Sequence, residues 1–213
     1  MARPAADAPD TGADRSALTA ALGVEIEPEL LELALTHRSY AYEHTGVSHN
    51  ERLEFLGDSI LGQAVTVMLY REHPDLDEGE LAKRRASLVS SVALAEIAGH
   101  IGLGDHLRLG RGEELTGGRQ KASILADAVE ALIGATYLSA GPDEATALVL
   151  RLIAPLLADP DRFGAAMDPK TSLQELSTRL GKGLPQYAVT DSGPDHSKRF
   201  HATVLLGGQP MAE

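Results

Sequence analysis

The apolar residues between positions 28 and 158 recur at intervals of three and four, the spacing of amphipathic helices. A first helix is predicted from Pro28, a residue suited to an opening position, to about Tyr42. Further helices are predicted over residues 51–70, 78–99, 119–140 and 142–158, separated by His73-Pro74, a glycine-rich run over 99–118 and Gly141-Pro142. Residues 16–158 are therefore predicted to form an all-α domain.

The predicted helix over residues 51–70 is apolar around most of its circumference. Its start is marked either by Asn50 as N-cap or by a capping box of Ser48 with Glu51. A small helical domain cannot bury so wide an apolar surface internally. The pattern therefore predicts a homodimer.

The pattern changes at both ends of this domain. Residues 1–15 are rich in Ala, Pro and Asp without periodicity, which predicts a disordered tail, and residues 159–168 are expected to form a linker. Residues 169–213 are predicted to be a second domain with a helix first and strands after it. The predicted elements are a helical stripe of Leu173, Leu176 and Leu180, a strand over 186–190, a loop over 191–199, an alternating strand of Phe200, Ala202, Val204 and Leu206, and the start of a third strand over 209–213.

Composition narrows the function classes. The chain has no cysteine, which excludes disulfides and thiolate metal sites. No uninterrupted apolar run reaches the length of a membrane span, and residues 1–15 lack the apolar stretch of a signal peptide. A cytoplasmic protein without a membrane partner is expected.

The net charge of −12 argues against a general electrostatic affinity for nucleic acid, but it is unevenly distributed. Residues 168–213 hold five Lys or Arg and five Asp or Glu, so the first 167 residues carry the whole excess. Most of these acids are expected to keep the surface soluble. The basic run Lys83-Arg84-Arg85 and the loop 108–121 either contact phosphate or serve as surface charge and internal pairs.

Three acids stand in apolar surroundings. Asp58 is the only charged residue between Phe55 and Tyr70, and Asp127 and Glu130 are the only ones between positions 123 and 138. Burying an ionised carboxylate costs several kcal/mol unless it is paired or binds a metal. Each of the three is therefore predicted to have a partner.

The spacing places these acids on two helix faces. Glu51, Glu54 and Asp58 are three and four residues apart, as Asp127 and Glu130 are three apart. Two such faces brought together form an all-oxygen site, which selects Mg²⁺, with Mn²⁺ as a substitute. The alternatives are structural: Glu51 fits a helix cap, and Glu54 could pair with Arg52 of a neighbouring chain or with Arg84.

Residues 49–59, His-Asn-Glu-Arg-Leu-Glu-Phe-Leu-Gly-Asp-Ser, resemble the ribonuclease III signature, and the segments 35–39 and 123–132 agree with the same family. The resemblance covers about residues 20 to 213. It implies an endonuclease that hydrolyses double-stranded RNA as a homodimer with one site for each strand, leaving 5′-phosphates and short 3′ overhangs and serving rRNA and mRNA processing. It also implies metal ligands Glu54, Asp58, Asp127 and Glu130, with Asp58 and Glu130 catalytic and Glu51 and Glu78 as auxiliary acids.

Residues 168–213 resemble a double-stranded-RNA-binding domain of α-β-β-β-α type, including the loop Gly193 to Phe200. The resemblance stops within the third strand, so an incomplete domain is expected. The polar face of its helix and the loop are expected to contact the minor groove and phosphates, through Thr171, Gln174, Glu175, His196 and Lys198. Without the neighbouring nuclease domain, an ordinary solvated helix and hairpin would be the preferred interpretation.

Two other functions compete with the endonuclease. A duplex-RNA-binding regulator without catalysis is disfavoured because acids stand at all four ligand positions. A helical metal-dependent phosphohydrolase of small nucleotides would need no duplex-binding domain, so residues 168–213 count against it.

Overall fold

The computed structural model describes residues 15–158, 173–174, 177–178, 180–192 and 198–212. The chain divides into two compact units, residues 1–162 and 163–213. In the described residues the first unit is helical, and the second contains a three-stranded antiparallel sheet. The predicted fold class, an all-α domain followed by an α+β domain, is confirmed. Residues 1–14 of the predicted tail and the predicted linker lie outside the described residues, whereas Arg15, the last residue of that predicted tail, begins a helix.

The first unit is built around two long helices. Helices α4 and α8 pack side by side, and α6 and α9 cover α8. Val65, Leu132 and Ile133 are almost fully buried where these helices meet. The helices are α1 Arg15–Leu22, α2 Pro28–Ala34, α3 Arg38–Glu43, α4 Glu51–Glu72, α5 Glu78–Val89, α6 Ser91–His100, α7 Arg111–Leu115, α8 Ala122–Ala140 and α9 Pro142–Leu157, with 3-10 turns at Leu103–His106 and Gly118–Gln120.

Helix α8 is long and apolar enough to cross a membrane by length and composition, but 61% of it is buried inside the domain. Eleven of its residues have less than a tenth of their surface exposed, among them Val129 and Leu132. The apolar character of α8 is therefore that of a core helix.

Two predicted helices are each broken in two. The predicted helix over 28–42 stops at Ala34, because the carbonyl of Leu35 accepts the backbone N–H of Arg108 at 2.8 Å and Thr36 bridges the same residue. The predicted helix over 78–99 is interrupted at Ser90, which is extended and caps α6 by accepting the backbone N–H of Ala93. Both breaks occupy only a few residues, so the apolar periodicity continues across them.

Helix α1 was not predicted. It buries Leu18 and Leu22 completely against the domain. The carbonyl of Leu22 accepts a hydrogen bond from the side chain of Arg151, and Gly23 ends the helix with a positive φ of 63°. The helix is held by these long-range contacts more than by its short sequence pattern.

The sheet of the second unit has the strand order β1-β2-β3, with β1 Gln186–Ser192, β2 Arg199–Leu206 and β3 Gln209–Ala212. The predicted loop 191–199 is too long at both ends, because Asp191 pairs with Phe200 and Ser192 with Arg199. A bulge between Val204 and Leu205 shifts the register toward β3.

Part of the predicted burial in the second unit is wrong. Residues 173–174 and 177–178 are helical as predicted, but Leu180 lies after the helix and is 62% exposed. Gly181, with φ of 67°, turns the chain away at that point. In β2, Val204 and Leu206 are half-buried whereas Ala202 is exposed, so the alternation predicted for this strand is weaker than expected.

Candidate metal centre and nucleic-acid interface

Helices α4 and α8 touch backbone to backbone beside the acidic residues. A Cβ atom on Gly57 would lie 1.8 Å from the carbonyl oxygen of Glu130, and one on Gly134 would lie 2.3 Å from that of Leu53. Only glycine permits this approach. The contact places the turn of α4 that carries Glu54 and Asp58 against the turn of α8 that carries Asp127 and Glu130.

Three of the predicted ligands come together there. Carboxylate oxygens of Glu54, Asp127 and Glu130 all lie within 4.8 Å of one another, and the three side chains are half-buried. Carboxylate oxygens at this separation can share one cation, and hard oxygen donors suit a divalent ion. The arrangement can therefore hold a metal ion.

The expected burial of Asp58 is wrong. The side chain is exposed, although its sequence neighbours are apolar, because α4 also exposes apolar residues on that face, among them Phe55 at 78%. Asp58 nevertheless lies close enough to Glu130 and Glu54 to raise the pKa of both. It stands at the edge of the three-carboxylate cluster and is not one of its members.

The carboxylates of the cluster resist ionisation. Burial, followed by the charges of Asp58, Glu54 and Asp127, raises the pKa of Glu130 to about 7. Burial and the charge of Asp127 raise the pKa of Glu54, and burial raises that of Asp127 against the opposing charge of Arg38. Loss of solvent around these half-buried groups is the main cause, and repulsion between like charges adds to it; a bound cation would offset both.

A cavity of about 540 Å³ opens beside the cluster. Its acidic wall comprises Glu51, Glu54, Glu113 and Asp127. Its cations, Arg38 and Lys121, are each paired with an acid: Arg38 lies 3.2 Å from Glu51, and the ammonium of Lys121 contacts Glu113. The hydrogen bond from Lys121 lowers the pKa of Glu113.

Asn50 occupies the cap position of α4, but its side chain makes no capping bond. Its buried amide donates to the carbonyl of Ala34 at 3.1 Å instead. Glu51, the first residue of α4, contacts Arg38 and lies 3.6 Å from His49. Glu51 is thus a wall residue of the cavity. Its contacts, with Arg38 and His49, are not those of either predicted helix cap.

Glu78 lies elsewhere on the chain. It is exposed at the start of α5 and lines a second cavity of about 440 Å³ with Tyr70, Leu81 and Arg85. Within one chain Glu78 is therefore separate from the cavity that carries Glu54 and Asp127.

In the two basic segments, three further cations are paired internally. Lys83 lies 3.4 Å from Glu80, and Arg108 is 5% exposed and ion-paired with Glu32. Arg119 pairs with Glu114 and donates to backbone carbonyls, including that of Leu107 at 2.9 Å. Internal pairing, one of the two interpretations of these basic segments, accounts for these contacts.

Sequence reasoning missed His37 and the two contact glycines as parts of the site. His37 lines the cavity, yet nothing in its spacing links it to residues 54 or 127. Gly57 and Gly134 did carry a signal, because a glycine inside an apolar helix costs about 1 kcal/mol and marks close packing.

Two of the five predicted RNA-contacting residues fall on described residues. Gln174 is exposed on the helical segment, and Lys198 lies 3.2 Å from Asp191, next to the hairpin end of β2. Thr171, Glu175 and His196 lie outside the described residues. Of the five predicted contacts, the described residues therefore include one exposed amide and one ion-paired cation.

Both halves of the chain match known family models. Residues 27–157 match the model described as Ribonuclease-III-like, and residues 169–213 match the double-stranded RNA binding motif. Since a ribonuclease III nuclease domain implies a divalent metal, the cluster of Glu54, Asp127 and Glu130 is where the chain can bind one.

The chain is 77% identical to Ribonuclease 3 of Leifsonia xyli subsp. xyli over 92% of this chain and 82% of the relative. It is 58% identical to Ribonuclease 3 of Nocardia farcinica over 96% of this chain and 87% of the relative. Among solved structures, the nuclease domain of ribonuclease III from Campylobacter jejuni has a TM-score of 0.63 at 41% identity, covering 67% of this chain and 97% of that chain. The chain belongs to the ribonuclease III family and is an endoribonuclease specific for double-stranded RNA.

Proposed function

We propose that this enzyme hydrolyses the phosphodiesters of duplex RNA with Mg²⁺ held by Glu54, Asp58, Asp127 and Glu130. The observation that carries the proposal is the convergence of three carboxylates within 4.8 Å, with Asp58 beside them. The donors are all oxygens, which favours Mg²⁺, with Mn²⁺ as a substitute, over softer metals. When bound, the cation supplies Lewis-acid chemistry that activates water and stabilises the leaving 3′-oxygen.

The chain's own residues prepare the site for that cation. Because Glu54, Asp127 and Glu130 repel one another, their ionised forms are stabilised by a positive charge between them. Glu51 acts as an auxiliary acid from the cavity wall, and Asp58 and Glu130 are the residues assigned to the reacting phosphate. The products are 5′-phosphate and 3′-hydroxyl ends with short 3′ overhangs, and the role is rRNA and mRNA processing in the cytoplasm.

The functional unit is proposed to be a homodimer. Helix α4 leaves Phe55 and Tyr70 78% and 73% exposed, and Val67 is 40% exposed on the same helix. The nuclease domain of the C. jejuni protein has a region involved in dimer formation. Two sites related by a two-fold axis match the two strands of a duplex, so each subunit would cut one strand. Glu78 is assigned as an auxiliary acid within this dimer.

The second domain is proposed to hold the duplex. Gln174 offers an exposed amide, and Lys198 offers a cation, with Thr171, Glu175 and His196 completing the contact set. Contacts of these types reach 2′-hydroxyls and phosphates across the minor groove and so distinguish RNA from DNA.

The test is cleavage of a long RNA duplex by the full chain with and without Mg²⁺, compared with Glu130→Gln. Mg²⁺-dependent shortening of the duplex by the parent and its loss in the variant are expected. Duplex binding in EDTA is measured in parallel for both proteins. Binding without cleavage by the parent in Mg²⁺ would contradict the proposal and favour a regulator that binds duplex RNA.

A further inference from the structure

His37 lies on the wall of the acidic cavity, directly before α3. It is 9% exposed and shares this cavity with Glu54 and Asp127. The function proposed above uses the carboxylates and gives this imidazole no role. The hydrogen bonds of its ring show which nitrogen is able to donate.

The hydrogen bonds of His37 fix its tautomer. Nδ1 accepts the backbone N–H of Ser39 at 3.3 Å and lies 2.8 Å from the Ser39 hydroxyl. The hydroxyl oxygen itself accepts the backbone N–H of Gly110 at 2.9 Å, so its proton is available for Nδ1. Because a backbone N–H can only donate, Nδ1 carries no proton, and the neutral ring carries its proton on Nε2.

Burial keeps this ring neutral. Loss of solvent lowers the pKa of His37 below its ordinary value of 6.5, although the charge of Glu113 opposes the shift. The geometry agrees, because protonating Nδ1 would break its bond with the Ser39 backbone. His37 is therefore a neutral donor in a cavity whose wall carries four acids.

The backbone of residues 36–37 is held by hydrogen bonds to Arg108 and Asn50. The N–H of His37 donates to the carbonyl of Arg108 at 3.1 Å, and the carbonyl of Thr36 accepts the N–H of Asn50 at 2.9 Å. The buried guanidinium of Arg108 also donates to the hydroxyl of Tyr40 at 3.0 Å. These bonds fix the ring in place before any substrate arrives.

We propose that His37 donates a hydrogen bond from Nε2 to a non-bridging oxygen of the phosphate that is cleaved. With Nδ1 committed to Ser39, Nε2 is the ring nitrogen left to donate to a substrate in the cavity that His37 lines, and within the described part of the chain Nε2 forms no hydrogen bond. The cations Arg38 and Lys121 are already paired with acids, as described above. A neutral N–H forms no ion pair with the carboxylates and can donate to a phosphate oxygen.

This role is that of a catalytic residue that touches the substrate, and it rests on the proposed function, which brings the phosphate to the acidic cluster. A fixed donor that meets developing negative charge in a partly desolvated site is worth far more than one in water. The donor needs no reorganisation, because the backbone hydrogen bonds of Thr36 and His37 to Asn50 and Arg108 set its position in the free enzyme.

Two variants of the full chain separate the role of Nε2 as a donor to phosphate from the role of Nδ1 as the cap of α3. In His37→Asn the amide oxygen can replace Nδ1 and accept the N–H of Ser39, since Asn is a good N-cap, but nothing replaces Nε2. In His37→Gln the longer amide can reach the Nε2 position with a donor, whereas the cap is weakened. A structural role and a phosphate contact therefore predict opposite orders of activity.

We expect His37→Asn to have the same melting temperature as the parent in EDTA. Its kcat/KM on a long RNA duplex should fall about 10- to 100-fold. The Mg²⁺ concentration that gives half-maximal cleavage should not change. His37→Gln should melt lower yet cleave faster than His37→Asn. Nitrogen NMR of the apo parent should show His37 with its proton on Nε2.

Parental cleavage by His37→Asn would overturn the proposal, because the imidazole would then serve only as a cap. A raised Mg²⁺ requirement in that variant would also overturn it, since His37 would then act through Asp127. A proton on Nδ1 would do the same. If instead the proposed function is wrong, cleavage by the parent will not depend on Mg²⁺, which is a different result from any of these.

Discussion

The α-carbon of Gly57 faces the carbonyl oxygen of Glu130 so closely that an added methyl group would lie 1.8 Å from that oxygen. The contact is backbone against backbone, so no side-chain rotation can relieve it. It sets the distance between the acids of α4 and those of α8. The geometry of the acidic cluster therefore depends on a residue that carries no functional group.

Gly57→Ala is expected to separate α4 from α8 and to abolish cleavage. Overpacking of a close contact costs about 1–3 kcal/mol, and the small gain in helix propensity does not offset it. Urea unfolding followed by circular dichroism would measure the loss, and a duplex-cleavage assay would measure activity. The stabilisation of the variant by Mg²⁺ should also be weaker than that of the parent.

Gly99→Ala is the matched control, because Gly99 is also helical and an added Cβ there meets nothing within 4 Å. This variant should be as stable as the parent or more stable by up to about 1 kcal/mol, with unchanged cleavage. Equal stability of the Gly57 and Gly99 variants would show that the helix contact tolerates a methyl group.

The sequence predicted which acids come together better than it predicted their surroundings. Glu54, Asp127 and Glu130 were nominated by helical spacing within apolar runs, and that local periodicity is what brings each pair to one face. The same argument predicted that Asp58 is buried, which is wrong. Periodicity places a residue on a helix face but does not say whether that face meets the core or solvent.

The wall opposite the cluster could not be predicted, because it is made by long-range contacts. The break between α2 and α3 depends on Arg108, which lies 72 residues beyond Thr36 in the sequence. Because of that break, His37 is the N-cap of α3 and lines the cavity. No local pattern in residues 28–42 carries this information.

Arg108→Met is expected to destabilise the first domain and to lower cleavage. The guanidinium is 5% exposed, ion-paired with Glu32 and bonded to the hydroxyl of Tyr40, so its removal leaves buried polar groups without partners. Removing one member of a buried pair costs about 3–5 kcal/mol, and the partial exposure of Glu32 places this case at the lower end. Thermal melting would measure it.

Glu32→Gln is the comparison for that variant. It removes the charge from the more exposed partner and leaves the bond between Arg108 and Tyr40 in place. Its melting temperature should fall less than that of Arg108→Met. The reverse order would mean that the ion pair with Glu32, and not the hydrogen bond to Tyr40, is the main contribution of the Arg108 side chain.

Phe55→Asp is expected to convert the enzyme into monomers. Phe55 is 78% exposed on α4, and a charge there would have to be buried in the proposed dimer. Sedimentation velocity at micromolar concentration should show the mass of one chain. Val92→Asp, at an equally exposed position on α6, should leave the dimer intact. If both variants sediment as dimers, the interface lies elsewhere.

The metal-free enzyme is expected to lose stability as pH rises. The pKa of Glu130 is raised from an ordinary value near 4.5 to about 7 by burial and by neighbouring acids, so the folded state holds this proton more tightly than the unfolded state does. The resulting stabilisation is complete below about pH 4.5 and is lost as pH rises through 7. Ionisation of Glu130 should therefore weaken the fold in EDTA between pH 5 and 8, by about 1–2 kcal/mol after allowance for solvent screening.

Glu130→Gln removes this ionisation while keeping the size of the side chain. In EDTA at pH 8 the variant should be more stable than the parent, and the difference should disappear near pH 5, as measured by urea unfolding at each pH. Mg²⁺ should stabilise the parent more than the variant at pH 8, because a cation in the cluster of Glu54, Asp127 and Glu130 replaces the missing proton. Cleavage and apo stability thus change in opposite directions in this variant. A variant that is less stable than the parent in EDTA at pH 8 would instead make Glu130 a structural residue of the α4 and α8 contact.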